Sequence, residues 1–463
     1  MVKIAPLRGV VYNQKEMETD GGLLTAPPYD IISGPQRQEY LLSHPHNFLH
    51  LDLGEIRADD PDPLTWHDRS AELLGSWLSS GVLARRNKPS VILMDTEFIH
   101  PVTSRRMNRH GLICLVRLED VARESKIRLH EKTFSYHKVE RLDLMEKTKA
   151  QLSPVFGFFP DPDGSLLRSM FDLIRTDPDI HVTERNGLSH QLCFVQSNDS
   201  IGALVDSLSK TTIYIADGHH RYETALNYRQ NVLEQLAKNN QSPAPNSAID
   251  YVLMYLSPMS DPGLCVLPTH RVLSCVNLTD EEIIKSLEQY CEIKSFAFNG
   301  GDSRAKSDLS QKLLDDNKKG LTVYGLFLRG YNRYYFLKVK EKAKEEFLKH
   351  GKPDEVVLNN LDVSILTNLI IKKALGLTEM QMDNPDCISY VYSIEQATEA
   401  VNQRDHRAAL IINPTSLDEI LRVTETGKVM PRKATYFYPK VSSGLIFNLI
   451  DPMESIVDLG GRN

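Results

Sequence analysis

Apolar positions recur at two periods along this chain, and the switches between them predict alternating strands and helices. Period-two or continuous apolar runs predict strands over 9–12, 47–53, 90–96, 111–118, 155–159, 191–196, 251–256 and 265–267, with a hairpin over 320–328 and 334–339. The strands 90–96 and 111–118 read as another hairpin, turning at Ser104-Arg105-Arg106. Helical spacing appears over 66–82, where Ala71, Leu73, Leu74, Trp77 and Leu78 share a face and Gly81 closes the element. Further helices are predicted over 140–151, 166–174, 201–208, 223–238 and 362–375. Prolines punctuate the pattern: Pro27-Pro28 makes a rigid loop before Tyr29 and Asp30, and Ser153-Pro154 stops a helix before the strand at 155.

At 463 residues the chain is too long for one ordinary core. With 41% apolar and 25% charged residues it has the composition of a soluble globular protein. The net charge of -7, from 54 basic and 61 acidic residues, argues against a broad nucleic-acid footprint. No apolar run is long enough to span a bilayer, and the N-terminus lacks a secretory core, so a cytoplasmic protein is expected. Six scattered cysteines (Cys114, Cys193, Cys265, Cys275, Cys291, Cys387) contain no CxxC pair; buried thiols are expected, with neither disulfides nor a cysteine zinc site.

The segment TTIYIADGHHRYETAL, 211–226, concentrates candidate chemistry. A β-branched run ends at Asp217-Gly218 and turns into a helix, whose first N–H groups and positive dipole end suit a phosphate. Gly218 lets the backbone approach a ligand, Arg221 can fork onto phosphate oxygens, and His219 and His220 can donate hydrogen bonds or shuttle protons. Asp217 can act as a general base or hold a divalent cation. Arg128-Leu129-His130-Glu131-Lys132-Thr133 combines cations with a carboxylate, and His270-Arg271 and Lys433 offer further anion contacts. Arg141, Asp143 and Lys147 fall at the spacing of a salt-bridged helix surface, leaving Lys147 a minor candidate. Neither a Walker-type loop nor a kinase Gly-rich loop occurs.

The boxes IADGHHRYETAL, APPYDII at 26–32, LHEKT at 129–133, LPTHR at 267–271 and MPRKATYFYPK at 430–440 together resemble DUF1015, an uncharacterised bacterial and archaeal family. The DGHHR box is similar to that of free serine kinases, which have the ParB/sulfiredoxin-like fold and phosphorylate the hydroxyl of L-serine from a nucleotide. By that resemblance Gly218, His220 and Arg221 bind phosphate and Asp217 assists transfer. His130, Lys132, Thr133, His270, Arg271 and Lys433 are carried as further phosphate or nucleotide contacts, and His219 as a catalytic candidate. His219 stands where sulfiredoxin has its cysteine, so sulfiredoxin chemistry is not expected. The kinases also use an upstream glutamate as base, for which Asp30 and Glu131 are the candidates here.

The fold expected from these readings is mixed α/β: a ParB/sulfiredoxin-like core from 1–60 and 201–275, an inserted α+β region over 61–200, and a C-terminal α+β domain over 276–463. The expected function is a small-molecule kinase using ADP or ATP with Mg2+, with L-serine the first acceptor and a possible homodimer as its assembly. Two alternatives stand beside it. One is a ParB-like nucleotide-binding regulator associated with DNA; the other is a metal-dependent hydrolase using His219 and His220, although adjacent histidines diverge on a helix.

Overall fold

The computed structural model describes residues 1–120, 125–131, 135–196, 198–350, 355–403 and 406–457. The mixed α/β chain folds as two compact units: Met1–Leu129 with Thr133–Cys265 and Pro439–Asn463, and His130–Lys132 with Val266–Tyr438.

The first unit is built on a nine-stranded sheet. Its spatial order runs Ile127–Arg128, Ile213–Asp217, Val155–Phe159, Tyr251–Pro258, Arg106–Arg117, Val91–Ile99, Ser189–Val195, Ile180–Thr183, and Ile4–Ala5 also pairs with Arg106–Arg117. Most neighbours are antiparallel, but Val155–Phe159 runs parallel to Tyr251–Pro258. The strand Tyr251–Pro258 is buried throughout, as its apolar run over 251–256 requires for a central position, and Ser257 donates to the His110 carbonyl at 2.8 Å. Side chains alternate between two cores. On one face Val155, Phe159, Ile213, Ile215, Met254 and Leu256 pack with Leu204 and Leu208 of the helix Asn198–Leu208, and with Tyr222 and Ala225 of the helix His219–Lys238. On the other face Phe158 stacks on Tyr214 at 5.4 Å and Phe156 meets Tyr255 edge-on at 5.2 Å. Each such buried ring contributes roughly 1.5–3 kcal/mol relative to its exposed state.

Most strands of 61–200 belong to this same sheet, and the region, apart from 130–132, falls in one compact unit with residues 1–60 and 201–265. Val91–Ile99 and Arg106–Arg117 pair directly, and Arg106–Arg117 pairs in turn with Tyr251–Pro258. The C-terminal boundary also differs: residues from Pro439 onward rejoin the first unit, where Phe447 and Val10 hydrogen-bond to each other through their backbones.

The second unit holds a six-stranded antiparallel sheet in the order Cys291–Ala297, Arg333–Val339, Val323–Leu328, Ala408–Ile411, His270–Leu273, Ile388–Val391. Leu309 and Leu313 of the helix Ser303–Lys318 and Val401 of the helix Ile394–Gln403 pack with Phe327, Phe336 and Ile411.

Three local expectations are corrected. Residues 47–53 alternate in hydropathy, yet Leu49–Asp52 is a helical turn whose Leu49 and Leu51 are both buried. The predicted helix at 362–375 is α-helical only over Asp362–Ile365 and continues as a wider π-helix over Leu366–Ala374. Cys275 and Cys387 form a disulfide, just beyond the paired residues Leu273 and Ile388 of neighbouring strands. Their separation of 112 residues hid the pair, because only strand pairing brings them together. Among the described residues no helix is long and apolar enough to cross a membrane.

Candidate functional site

The strand Ile213–Asp217 ends in an irregularity. Ile215 pairs with Gly157, but Asp217 pairs with Phe156, so one residue is extra on the Asp217 side. A bulge of this kind re-aims the side chain that follows it. Gly157 opposite is held to glycine by space, since a Cβ there would lie 2.9 Å from both Ile213 and Leu256. Gly218 then turns the chain with φ 82°, a left-handed value that glycine adopts without strain, and the helix His219–Lys238 begins. The helix thus starts four residues before the periodicity at 223–238 indicates, and Gly218 rather than Asp217 occupies the N-cap position.

Asp217 is therefore not spent on capping. Its Oδ2 accepts from Arg221 Nη2 at 2.7 Å, and its Oδ1 accepts from Lys440 Nζ at 2.5 Å. Arg221 Nη1 also donates to the carbonyl of Pro154 at 2.5 Å. All three charged side chains are nearly buried, with 13%, 10% and 9% of Asp217, Arg221 and Lys440 exposed. Burial alone would raise the Asp217 pKa, but Lys440 and then Arg221 hold it well below the usual carboxylate range. Burial lowers the Arg221 pKa, and the field of Asp217, with those of Asp30, Tyr29 and Asp52, more than reverses it. A carboxylate so strongly held is a poor proton acceptor near neutral pH. Asp217 orients two cations at a helix N-terminus.

Asp30 sits in the short 3-10 turn Tyr29–Ile31, exposed and within the electrostatic reach of Arg221. Beside it, the Arg141 guanidinium lies 3.7 Å from the Tyr29 ring centroid and donates to Asp52 Oδ1 at 3.0 Å. Burial, partly offset by Arg141, pushes the Tyr29 hydroxyl up to about 12. Arg141 is thus buried, unlike the solvated surface expected for its helix, whereas Lys147 does make a surface ion pair with Asp68 at 2.6 Å.

Of the remaining candidates, His219 and His220 open the helix His219–Lys238 in the first unit, whereas His130, Glu131, His270, Arg271 and Lys433 belong to the second. His130 is fully buried, its Nε2 2.8 Å from Thr435 Oγ1. Glu131 Oε1 accepts from the backbone N–H of Lys433 at 3.2 Å, and Lys433 has an exposed side chain on a left-handed backbone with φ 57°. The His270 Nδ1 accepts from the Ile412 N–H at 3.2 Å, and burial, then Arg271, lower its pKa to about 3. Arg271 donates to Thr269 Oγ1 at 2.7 Å and to the Lys433 carbonyl at 3.3 Å. These bonds tie Glu131 and Arg271 to the Lys433 backbone, His130 to Thr435 and His270 to Ile412. Lys132 and Thr133 lie outside the described residues.

Sequence reasoning missed Lys440 and Arg141. Lys440 stands in the same MPRKATYFYPK box as the candidate Lys433. Arg141 reads in the sequence as part of a salt-bridged helix surface, and its burial depends on Tyr29 and Asp52, far away in the chain. Among the described residues no cluster of three His, Cys, Asp or Glu side chains is placed to hold a metal ion, so His219 and His220 do not form part of one.

No curated protein matches the chain. Among solved structures, it is similar to a free serine kinase mutant in complex with ADP, at 9% identity and TM-score 0.30, covering 72% of this chain and 88% of that one. A conserved hypothetical protein from Pyrococcus furiosus gives 11% identity and TM-score 0.28, with 72% and 92% covered. SbnI from Staphylococcus aureus, with a C-terminal truncation, gives 10% and 0.30, with 71% and 84% covered. The model of one family, described as a protein of unknown function (DUF1015), matches residues 4–364, which include the strand–helix junction at Asp217-Gly218; the chain belongs to that family.

Proposed function

We propose that this chain is a cytoplasmic, nucleotide-dependent phosphotransferase acting on the hydroxyl of a small metabolite, with L-serine the first acceptor to try and ADP or ATP the donor. The observation that carries this reading is the arrangement of Arg221 and Lys440 on the two oxygens of Asp217, at the N-terminus of a 20-residue helix. Two nearly buried cations at the positive end of a helix form an anion site, and a polyphosphate entering it can take over their hydrogen bonds from Asp217. Gly218 leaves room for this approach. His220, beside Arg221 in the first turn, can add a phosphate contact, and His219 a proton-bearing ring.

In the proposed reaction the acceptor oxygen forms a bond to phosphorus while the bond from phosphorus to the nucleotide oxygen breaks. The acceptor proton passes to a carboxylate and the departing nucleotide keeps the electron pair. Asp30 is the better candidate for that carboxylate, being exposed and electrostatically coupled to Arg221 in the same unit. Glu131 is engaged with the Lys433 backbone. Arg221 and Lys440 would offset charge on the transferring group, the usual source of catalysis in phosphoryl transfer. The described side chains do not provide a protein-built Mg2+ cage, since Asp217 spends both oxygens on cations. Mg2+ would arrive with the nucleotide, neutralising phosphate charge.

The test is mass spectrometry of reactions containing ADP, ATP or pyrophosphate in turn with serine, threonine and small polyols. A phosphorylated product that disappears in Lys440→Met supports the reading. Absence of product from every combination, in protein that remains folded, overturns it.

A further inference from the structure

Within the first unit, beside Arg221, lies a recess of about 40 Å3 lined by Tyr29, Asp52, Arg141, Ser153, Arg221 and Thr224, among others. It is far too small for a nucleotide, whose pockets typically run to hundreds of Å3, and large enough for one or two waters or a single charged head group. Its polar lining is mostly satisfied internally. Asp52 accepts from Arg141 Nη1 at 3.0 Å and from Ser153 Oγ at 2.9 Å, and both ends of Gln151 are engaged with backbone of Tyr251 and Leu253 at 2.8 Å.

Two groups are the exception. Thr224 Oγ1, on a fully buried residue, and Arg141 Nε, on a residue 6% exposed, have no hydrogen-bond partner. A buried polar group left without a partner is costly, and most such groups in folded proteins are satisfied by water or ligand. Both groups can donate and the guanidinium N–H can only donate, so the complementary occupant presents acceptor oxygens. A planar oxyanion beside an arginine meets that requirement.

We propose that the Arg141–Thr224 recess is the subsite for the carboxylate of the acceptor molecule, with the phosphorylated hydroxyl lying toward Arg221. The inference rests on the phosphotransferase reading and adds to it the substrate class, small hydroxy acids and hydroxy amino acids, and the residues that select it. Only the carboxylate enters the recess; its volume excludes the rest of the molecule. The Arg141 guanidinium lies 3.7 Å from the Tyr29 ring centroid and donates through Nη1 to Asp52 and through Nη2 to Glu140, while Nε has no protein partner.

The experiment is titration calorimetry of the full chain, with and without ADP, using L-serine, D-glycerate and L-lactate against ethanolamine, glycerol and inorganic phosphate. Binding of the three carboxylates, absent for ethanolamine and glycerol and weakened tenfold or more in Thr224→Val, is the expected result. Thr224→Val also replaces an unpartnered hydroxyl with a methyl group, so it should raise the Tm of the ligand-free protein while weakening the ligand. Failure of all carboxylates to bind, or equal binding to wild type and Thr224→Val, overturns the subsite and leaves the recess to water. Binding of inorganic phosphate in competition with serine assigns the recess to a phosphate and likewise overturns it. The two readings fail separately. Carboxylate binding without any phosphorylated product would remove the phosphotransferase and keep the subsite, whereas phosphorylation of glycerol as fast as glycerate would do the reverse.

Discussion

Lys440 Nζ lies 2.5 Å from Asp217 Oδ1, although 223 positions separate the two in the chain. The pair ties the strand–helix junction to the C-terminal segment that rejoins the first unit at Pro439. With Arg221 on the other oxygen, one carboxylate holds two cations where the helix dipole is positive.

Asp217→Asn is therefore more damaging than a change between two helix-capping residues. It leaves Arg221 and Lys440 nearly buried without their counter-charge, and a loss of roughly 3–5 kcal/mol is expected on chemical denaturation at pH 7. The sign with pH follows from the lowered pKa of Asp217 in the folded protein. Its contribution is complete above the ordinary carboxylate value and is lost as the pH falls toward the folded value. The gap between wild type and variant should thus be full at pH 7 and narrow below about pH 4. A gap that did not change with pH would mean that the carboxylate charge is not what stabilises the junction.

Gly218→Ala tests the geometry of the same junction with no change of charge. At φ 82° an alanine is strained by about 1–2 kcal/mol, and its Cβ would stand 2.8 Å from Arg221 Nε and 3.0 Å from Cζ. The guanidinium must shift, so nucleotide affinity measured by calorimetry should fall roughly 10- to 100-fold in protein that still unfolds cooperatively. Unchanged affinity would show that Arg221 is not a phosphate ligand.

Much of the site was legible because its chemistry is local. The β-branched run before Asp217-Gly218 and the polar residues after it announce a strand, a turn and a helix start, and the structure has all three. What could not be read is what crosses the chain. The Asp217 and Lys440 pair depends on the return of residues 439–457 to the first unit, and the sheet partners of residues 91–195 depend on registers that no local period encodes. Alternation over 47–53 misled for a related reason: a single helical turn with both leucines buried mimics a strand when its surroundings are unknown. The burial of His270 and Arg271 hid in the same way, since a cationic pair after a strand reads identically whether it faces solvent or a core.

The Cys275–Cys387 bond gives the second unit a stability that depends on redox conditions. It closes a loop of more than a hundred residues beside strands already in register, where the Ser274 N–H donates to the Cys387 carbonyl at 2.9 Å. Replacing both cysteines with serine, or reducing the bond, should cost about 2–5 kcal/mol of unfolding free energy. Denaturation curves with and without reductant check this, and curves that coincide would mean that the strand pairing alone carries the load.

Asp362 sets a pH dependence in the second unit. Burial first, and Glu419 second, raise its carboxyl to about 6, against hydrogen bonds from Thr322 and Asn317 and the charge of Lys344 that lower it. A folded pKa above the unfolded one means that the stabilising state is the protonated one. The contribution is complete below about pH 4 and is lost as the pH rises through 6, amounting to on the order of 3 kcal/mol by pH 7. Asp362→Asn removes the titration while its side-chain oxygen can still accept from Asn317 Nδ2, now 2.9 Å from Oδ2. The variant should match wild type near pH 4 and have the higher Tm at pH 7. Parallel Tm profiles across that range would show that Asp362 is ionised without cost, hydrated or paired in solution despite its burial.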